Sequence, residues 1–304
     1  MPEAIVIRKV DGKPGQVWYP LEKTTLPPFN PTGNEVVIRM SAAALNHRDL
    51  FLRQHLYPGT TFGVPLLADG AGVVVQAGPD AQRWMGKRVV INPGTGWRDD
   101  PEGPETGMYA IVGGTKFNPA GTLATEMLFE AGELEEAPGH LSDVEAAALP
   151  LTGLTAWRAL FSKSGNAKEG RNLLVTGIGG GVALMATLFG VHAGMNVYVS
   201  SGSQEKLDRA KKLGVKGGVI YKEKDWEKKL LEQLPSDRQY LDAIIDGAGG
   251  DIVVKGTRLL KVCGIIRTQY SYAYYAKARR SCRELRNDSG PKDGFSHGSR
   301  PQKH

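Results

Sequence analysis

The chain has 304 residues, 41% of them hydrophobic and 23% charged, with a formal net charge of +6. That length suits about two domains, each large enough to bury a core. Its two cysteines, Cys263 and Cys282, exclude a disulfide framework and a four-cysteine structural zinc within one chain. No apolar run approaches the ~20 residues that span a bilayer, and the first residues lack the apolar core of a signal peptide, so the expectation is a cytoplasmic protein with no membrane partner.

The first half is rich in proline: fifteen of eighteen lie at or before Pro150. Short β-branched runs, Glu35 to Met40, Ala71 to Gln76 and Lys87 to Asn92, are separated there by Gly/Pro turns, which predicts a small β-rich barrel. The second half alternates apolar runs with amphipathic stretches. Strands are predicted over Asn172 to Thr176, Asn196 to Ser200, Gly218 to Tyr221 and Leu241 to Asp246, with helices starting near Gly181, Ser203 and Asp225. A βαβ series of this kind makes an α/β fold with a parallel sheet, whose ligands bind outside the carboxyl ends of the strands. The expected division is 1–148 for the barrel, 149–270 for the parallel sheet, and a basic, disordered tail over 271–304. The tail carries +5 of the net charge, and the lysines and arginines of the body alternate with acids as on solvated helix faces, which argues against a nucleic-acid partner.

The run Asn172-Leu-Leu-Val-Thr176 meets Gly177-Ile-Gly179-Gly180-Gly181-Val182-Ala183 and then an apolar helix. Strand, glycine turn and helix arrive in the order that lets backbone N–H groups approach a pyrophosphate at the positive end of a helix. An NAD site normally has an acid about twenty residues further on, holding the ribose 2′-hydroxyl. Here that position reads Ser201-Gly202-Ser203-Gln-Glu-Lys206, with donors and a cation that suit a 2′-phosphate, and the cofactor reads as NADP(H). Lys206 in a first helical turn opposes the macrodipole, which favours a ligand role over a solvated one. Asp246-Gly247-Ala248 follows the next strand on the same edge; it either borders the nicotinamide or is a plain strand-to-helix turn with Asp251 as N-cap.

Asn46-His-Arg-Asp-Leu-Phe-Leu-Arg-Gln-His-Leu-Tyr-Pro58, Val64-Pro-Leu-Leu-Ala-Asp-Gly-Ala-Gly-Val-Val74, Gly86 to Val90, Leu149 to Trp157 and the glycine turn together resemble the medium-chain dehydrogenase/reductase superfamily. The likeness runs to about Gly264 and is greatest to its zinc-independent quinone oxidoreductase branch. It implies a GroES-like barrel followed by a Rossmann domain; the family is typically homodimeric, but the edge strands that commonly form that interface have no counterpart here, which argues against the dimer. Where the zinc branch carries its ligands, this chain has Asn46, Ala68 and the Leu149–Thr152 stretch, and residues 92 to 120 hold no cysteine, so no metal is expected. The resemblance implies hydride transfer to a small-molecule quinone, enone or related carbonyl, with Asn46 and Tyr57 facing nicotinamide and substrate, Tyr57 as proton donor, Thr155 in the same cleft and Tyr221 at the adenosine end. Bland readings stand beside each: a turn-satisfying Asn46, a barrel-edge Tyr57, a sheet-packing Tyr221. His47 and Asp49 read as structural, and Glu130, Glu133, Glu135 and Glu136 as solvated. After Arg267 the family's remaining elements have no counterpart, so the Rossmann domain is expected to be incomplete, and the alternative reading is an inactive truncated fragment that at most binds NADPH.

Overall fold

The structure, a computed structural model, describes residues 1–268, so the predicted basic tail lies outside the described residues. The chain divides into two compact units, 1–165 together with 179–192, and 166–178 together with the residues from 193 onward. The division is not a single cut, because the helix after the glycine turn packs against the helix that precedes the parallel sheet.

In the first unit β1 (Glu3–Ile7) pairs with β2 (Leu21–Thr25), and β3 (Glu35–Ala44) leads through α1 (His47–Arg53) to β4 (Asp69–Ala77) and β5 (Arg88–Ile91). The short pair β6 (Gly94–Thr95) and β7 (Ala110–Ile111) is followed by β8 (Glu126–Glu130) and β9 (Leu134–Glu136). The main sheet is antiparallel with strand order β8-β3-β4-β5-β9. Alternation fixes its inner face: Met127 and Phe129 of β8 and Val89 and Ile91 of β5 are buried while their neighbours are less so. They pack with Val36, Ile38, Val74, Trp84, Val112 and Leu134 into one core. Helix α2 (Asp143–Ala147), opened by a Ser142/Glu145 capping box, closes the sheet by seating Ala146 and Ala147 on Ala71. Helix α3 (Pro150–Trp157) takes Pro150 in its first turn and continues as a π-helical turn to Ser162. It packs on α4 (Gly181–His192), where a Cβ at Gly181 would lie 2.6 Å from Thr152 Cγ2, so the close approach needs glycine.

The second unit contains β10 (Asn172–Val175), β11 (Asn196–Ser201), α5 (Gln204–Lys211), β12 (Gly217–Ile220), α6 (Trp226–Leu231), β13 (Leu241–Asp246), α7 (Ile252–Leu259) and β14 (Leu260–Thr268). Its five described strands are all parallel, in the order β12-β11-β10-β13-β14. β10 and β13 are buried along their whole length, as strands covered on both faces must be. Trp226 and Leu230 of α6 and Ile252 and Leu259 of α7 pack with Leu174, Tyr198 and Ile244. The chain steps from β10 to β11 and β12 on one side and to β13 and β14 on the other. That reversal of strand order beside β10 is the topological switch of a doubly wound sheet, so the GroES-like barrel and Rossmann sheet expected from the sequence are both present.

Below the sheet, Asp242 is fully buried and accepts from Arg238, from Lys261 and from the Asn172 backbone N–H. Burial works to raise its pKa, but those donors outweigh burial and bring it down to about 2. The cluster joins the bases of β10, β13 and β14.

Candidate functional site

The carboxyl end of β10 runs from Thr176 into the glycine turn. Gly177 has φ +68°, and a Cβ there would sit 3.1 Å from the Ala248 Cβ, so backbone and space both require glycine. Its N–H donates to Ser200 Oγ at 3.3 Å, and the Ile178 N–H donates to Ser200 O at 2.9 Å, which ties the turn to β11. Gly179, Gly180 and Gly181 are exposed, and Val182 is buried in α4. The first N–H groups of α4 then have no intrahelical acceptor, an arrangement suited to the phosphates of a dinucleotide.

The Asp246 turn is built differently. The Asp246 carboxylate is buried and accepts from Thr176 Oγ1 at 2.5 Å and from the backbone N–H groups of Ala248 and Gly249 at 3.1 Å, while the Gly247 N–H donates to Thr176 Oγ1. Asp246 thus folds its own loop against the glycine turn. Asp251 stands at the N-cap of α7 without a side-chain capping bond.

At the end of β11, Ser201 is buried and its Oγ accepts from the Ser203 N–H at 3.1 Å. Ser203 occupies the N-cap of α5, yet its hydroxyl makes no capping bond to the helix. Tyr221 follows β12, donates its N–H to Ser201 O at 3.0 Å, and leaves its ring half exposed. A Cβ at Gly202 would lie 2.9 Å from Tyr221 Oη, so the phenol folds back over Gly202. Lys206 is exposed in the first turn of α5.

The residues expected to handle substrate lie in the first unit. Asn46 is the N-cap of α1, and its backbone N–H donates to Asp49 Oδ2 at 2.7 Å, so Asp49 is the reciprocal member of a capping box, the structural role the sequence suggested. Asn46 Nδ2 donates to Asp69 Oδ2 at 2.8 Å, and the other Asp69 oxygen accepts from the Leu151 N–H at 2.8 Å. Thr122 Oγ1 donates to the Asp69 carbonyl at 2.8 Å, and Leu67, two residues earlier, is held at φ +65°, a backbone region that leucine rarely adopts. Burial pushes the Asp69 carboxyl up to about 6, against the two N–H donors and with repulsion from Asp49 adding to the rise. Burial also raises the pKa of Asp49, with Arg48 opposing it.

Tyr57, half-buried, lies under the Arg48 guanidinium, whose carbon is 4.5 Å from the ring centroid. Arg48 is itself buried, donates to Gly113 O at 2.9 Å, and lies 3.4 Å from Asp49 Oδ1. A connected set of contacts therefore runs from Tyr57 through Arg48 and Asp49 to Asn46, Asp69 and the start of α3. Thr155 is half-buried one turn beyond Leu151, on the same face of α3.

Arg48 and Asp69 escaped the sequence reading. The only local signal was a basic and an acidic residue inside two otherwise recognisable motifs. Glu133, expected to be solvated, is half-buried and accepts from Asn92 Nδ2 at 2.6 Å, because the turn between β8 and β9 folds it against β5. Between β6 and β7 the Glu105 carboxylate accepts from the N–H groups of Arg98, Asp99 and Asp100 at 2.9, 2.6 and 2.7 Å. Those donors hold its pKa down to about 2.

The residues at the catalytic-zinc positions do not fit the ion. Ala68 has no donor atom, the Asn46 amide nitrogen is turned to Asp69, and both Asp69 oxygens are taken by N–H groups. Among the described residues no group of three or more His, Cys, Asp or Glu is placed to hold a metal. Nor is any described helix long and apolar enough to cross a membrane.

The alcohol dehydrogenase GroES-like domain family matches residues 32–139. A zinc-type alcohol dehydrogenase-like protein of Leptosphaeria maculans is 49% identical over 274 residues, 88% of this chain and 76% of that relative. Among solved structures, an NAD-dependent alcohol dehydrogenase superposes with a TM-score of 0.76 at 31% identity, over 91% of this chain and 82% of its own. A quinone oxidoreductase of Pseudomonas syringae pv. tomato gives 0.69 at 25% identity, over 92% and 79%.

Proposed function

The chain belongs to the medium-chain dehydrogenase/reductase superfamily of oxidoreductases, and from that membership we propose that it is an NADPH-dependent reductase of quinones, enones or related carbonyls that works without a metal. The observation that carries the reading is the Asn46–Asp69–Leu151 hydrogen-bonded strut, which engages two of the three places where a zinc-dependent relative needs ligands, the third being Ala68 with no donor atom. Without a Lewis acid, the acceptor best matched to the site is one already electron-poor, as a conjugated carbonyl or quinone is more than a simple ketone.

NADPH, when bound, supplies the hydride and leaves as NADP⁺. The glycine turn and the N-terminus of α4 offer N–H groups to the pyrophosphate, and the acid-free end of β11 favours the phosphorylated cofactor. Asn46, fixed by Asp69 and by the α1 cap, presents a rigid amide. Tyr57 donates its phenolic proton to the acceptor oxygen as negative charge arrives there, and recovers a proton from solvent. Arg48 holds the ring in place from its buried position.

The test is titration of the purified chain with NADPH and with NADH, followed by turnover assays with a quinone, an enone and a simple ketone. NADPH binding with oxidation by the first two supports the reading. Binding without any turnover supports the inactive-fragment alternative, and zinc-stimulated ketone reduction refutes metal-free catalysis. Tyr57→Phe is expected to keep NADPH binding and lower kcat by roughly 10²-fold or more.

A further inference from the structure

We propose that Lys222, together with Lys206, forms a two-cation clamp for the 2′-phosphate of the cofactor, and that Lys222 sets the preference for NADPH over NADH; this rests on the NADPH reading above. The case begins with charge. Lys206 and Lys222 each stand beside an acid in sequence, and both acids are already engaged. Glu205 binds Arg209 Nη2 at 2.6 Å, one turn along α5, and Glu223 binds Lys229 Nζ at 2.5 Å, in the last turn of α6. Among the described residues neither Lys206 nor Lys222 makes an ion pair. Two exposed ammonium groups are thereby left on the same edge of the sheet.

Geometry brings Lys222 to the point where the phosphate is expected. A Cβ at Gly202 would lie 3.2 Å from Lys222 Cε, so the lysine stem passes over the β11 end beside the Tyr221 phenol while the residue stays exposed. The Ser203 hydroxyl, which an N-cap serine normally spends on its own helix, makes no such bond here. Around Gly202 the chain therefore gathers the Lys222 side chain, a phenol and a hydroxyl, with Lys206 exposed in the first turn of α5 and the neighbouring Glu205 and Glu223 both paired. A phosphate monoester, carrying about −1.5 to −2 charge and three acceptor oxygens, matches that set; a ribose diol, which needs an acceptor, does not.

Lys222→Gln removes the charge and keeps the length. Fluorescence titration is expected to show NADPH affinity reduced about five- to tenfold, the range for a partly exposed charge-assisted contact, with NADH affinity within about twofold of the wild type. Lys222→Arg should restore most of the loss, and Lys224→Gln, an exposed lysine two residues on, should change neither affinity. Competition by 2′,5′-ADP should weaken in Lys222→Gln while competition by 5′-AMP is unchanged. An unaltered NADPH/NADH ratio in Lys222→Gln, or an equal loss for both nucleotides, overturns the assignment while leaving the cofactor reading intact. A wild-type chain that binds NADH as well as NADPH overturns both.

Discussion

Replacing Asp69 by asparagine should make the first unit progressively more stable relative to wild type as pH rises. Asp69 is 1% exposed, and burial lifts its carboxyl from 3.8 to about 6. A group whose folded pKa lies above its unfolded value adds stability that is complete below about pH 4 and lost as pH rises through about 6. That rise corresponds to ~3 kcal/mol, as an order of magnitude. Asparagine resembles the neutral acid in shape and in offering one good acceptor, so it lacks this descent. Near pH 4.5 the variant is expected to match wild type within ~1 kcal/mol; near pH 8 it should have gained on it by ~2–3 kcal/mol. The assay is urea unfolding followed by tryptophan fluorescence across that range, since four of the five tryptophans, Trp18, Trp84, Trp97 and Trp157, report on the first unit. Taking the difference between the two proteins cancels the other titrating groups. Parallel curves, or a wild type that gains on the variant with rising pH, would refute the argument that burial dominates the Asp69 environment.

Three further outcomes follow from the same geometry. Gly177→Ala places a Cβ where φ is +68° and Ala248 is already close, so it should cost about 1 kcal/mol or more in stability and lower NADPH affinity at least tenfold, read by thermal melts with and without nucleotide. Asp242→Ala strands Arg238, Lys261 and the Asn172 N–H, with an expected loss of ~3–5 kcal/mol at pH 7 by denaturant unfolding. Because the folded Asp242 pKa, about 2, lies below its unfolded value of 3.8, its stabilisation is present above about pH 4 and fades as pH falls toward 2, so the variant's deficit should shrink on acidification. Glu105→Gln keeps the size but withdraws the charge that gathers three backbone N–H groups. Proteolysis between Trp97 and Met108 should then speed up while melting of the barrel core is unchanged.

What the sequence made legible was periodic or local. β-branched runs between Gly/Pro turns gave β3, β4 and β5, apolar runs gave β10 and β13, and the glycine turn gave the start of α4, because each of these is dictated by neighbours a few positions away. The polar interior was not legible. Asn46 meets Asp69 across 23 residues, Asp69 meets Leu151 across 82, and Arg48 meets Gly113 across 65. No spacing rule connects such pairs, and an acid beside a glycine in Ala68-Asp-Gly70 looks like any turn until the sheet is closed. Lys222 was missed for a related reason. Only the parallel pairing of β11 with β12 brings it to Gly202, twenty residues away.

The strut at Asp69 also bears on the proposal that this chain works without a metal. A zinc site at these positions would do two things, polarise an acceptor and fix three distant segments to one another. In this chain Asp69 performs the second with hydrogen bonds, tying α1 and α3 to β4 through its two oxygens. A carboxylate so used contributes no electrophile, so under the proposed function polarisation falls to the acceptor's own conjugation and to a proton from Tyr57. Restoring ligand types alone, as in Ala68→His, should not recruit zinc, because Asn46 would still supply an amide and Asp69 would still be occupied by two N–H donors. A metal titration of that variant read by cobalt absorption is expected to stay silent, and tight tetrahedral binding would show that the strut is weaker than its geometry indicates.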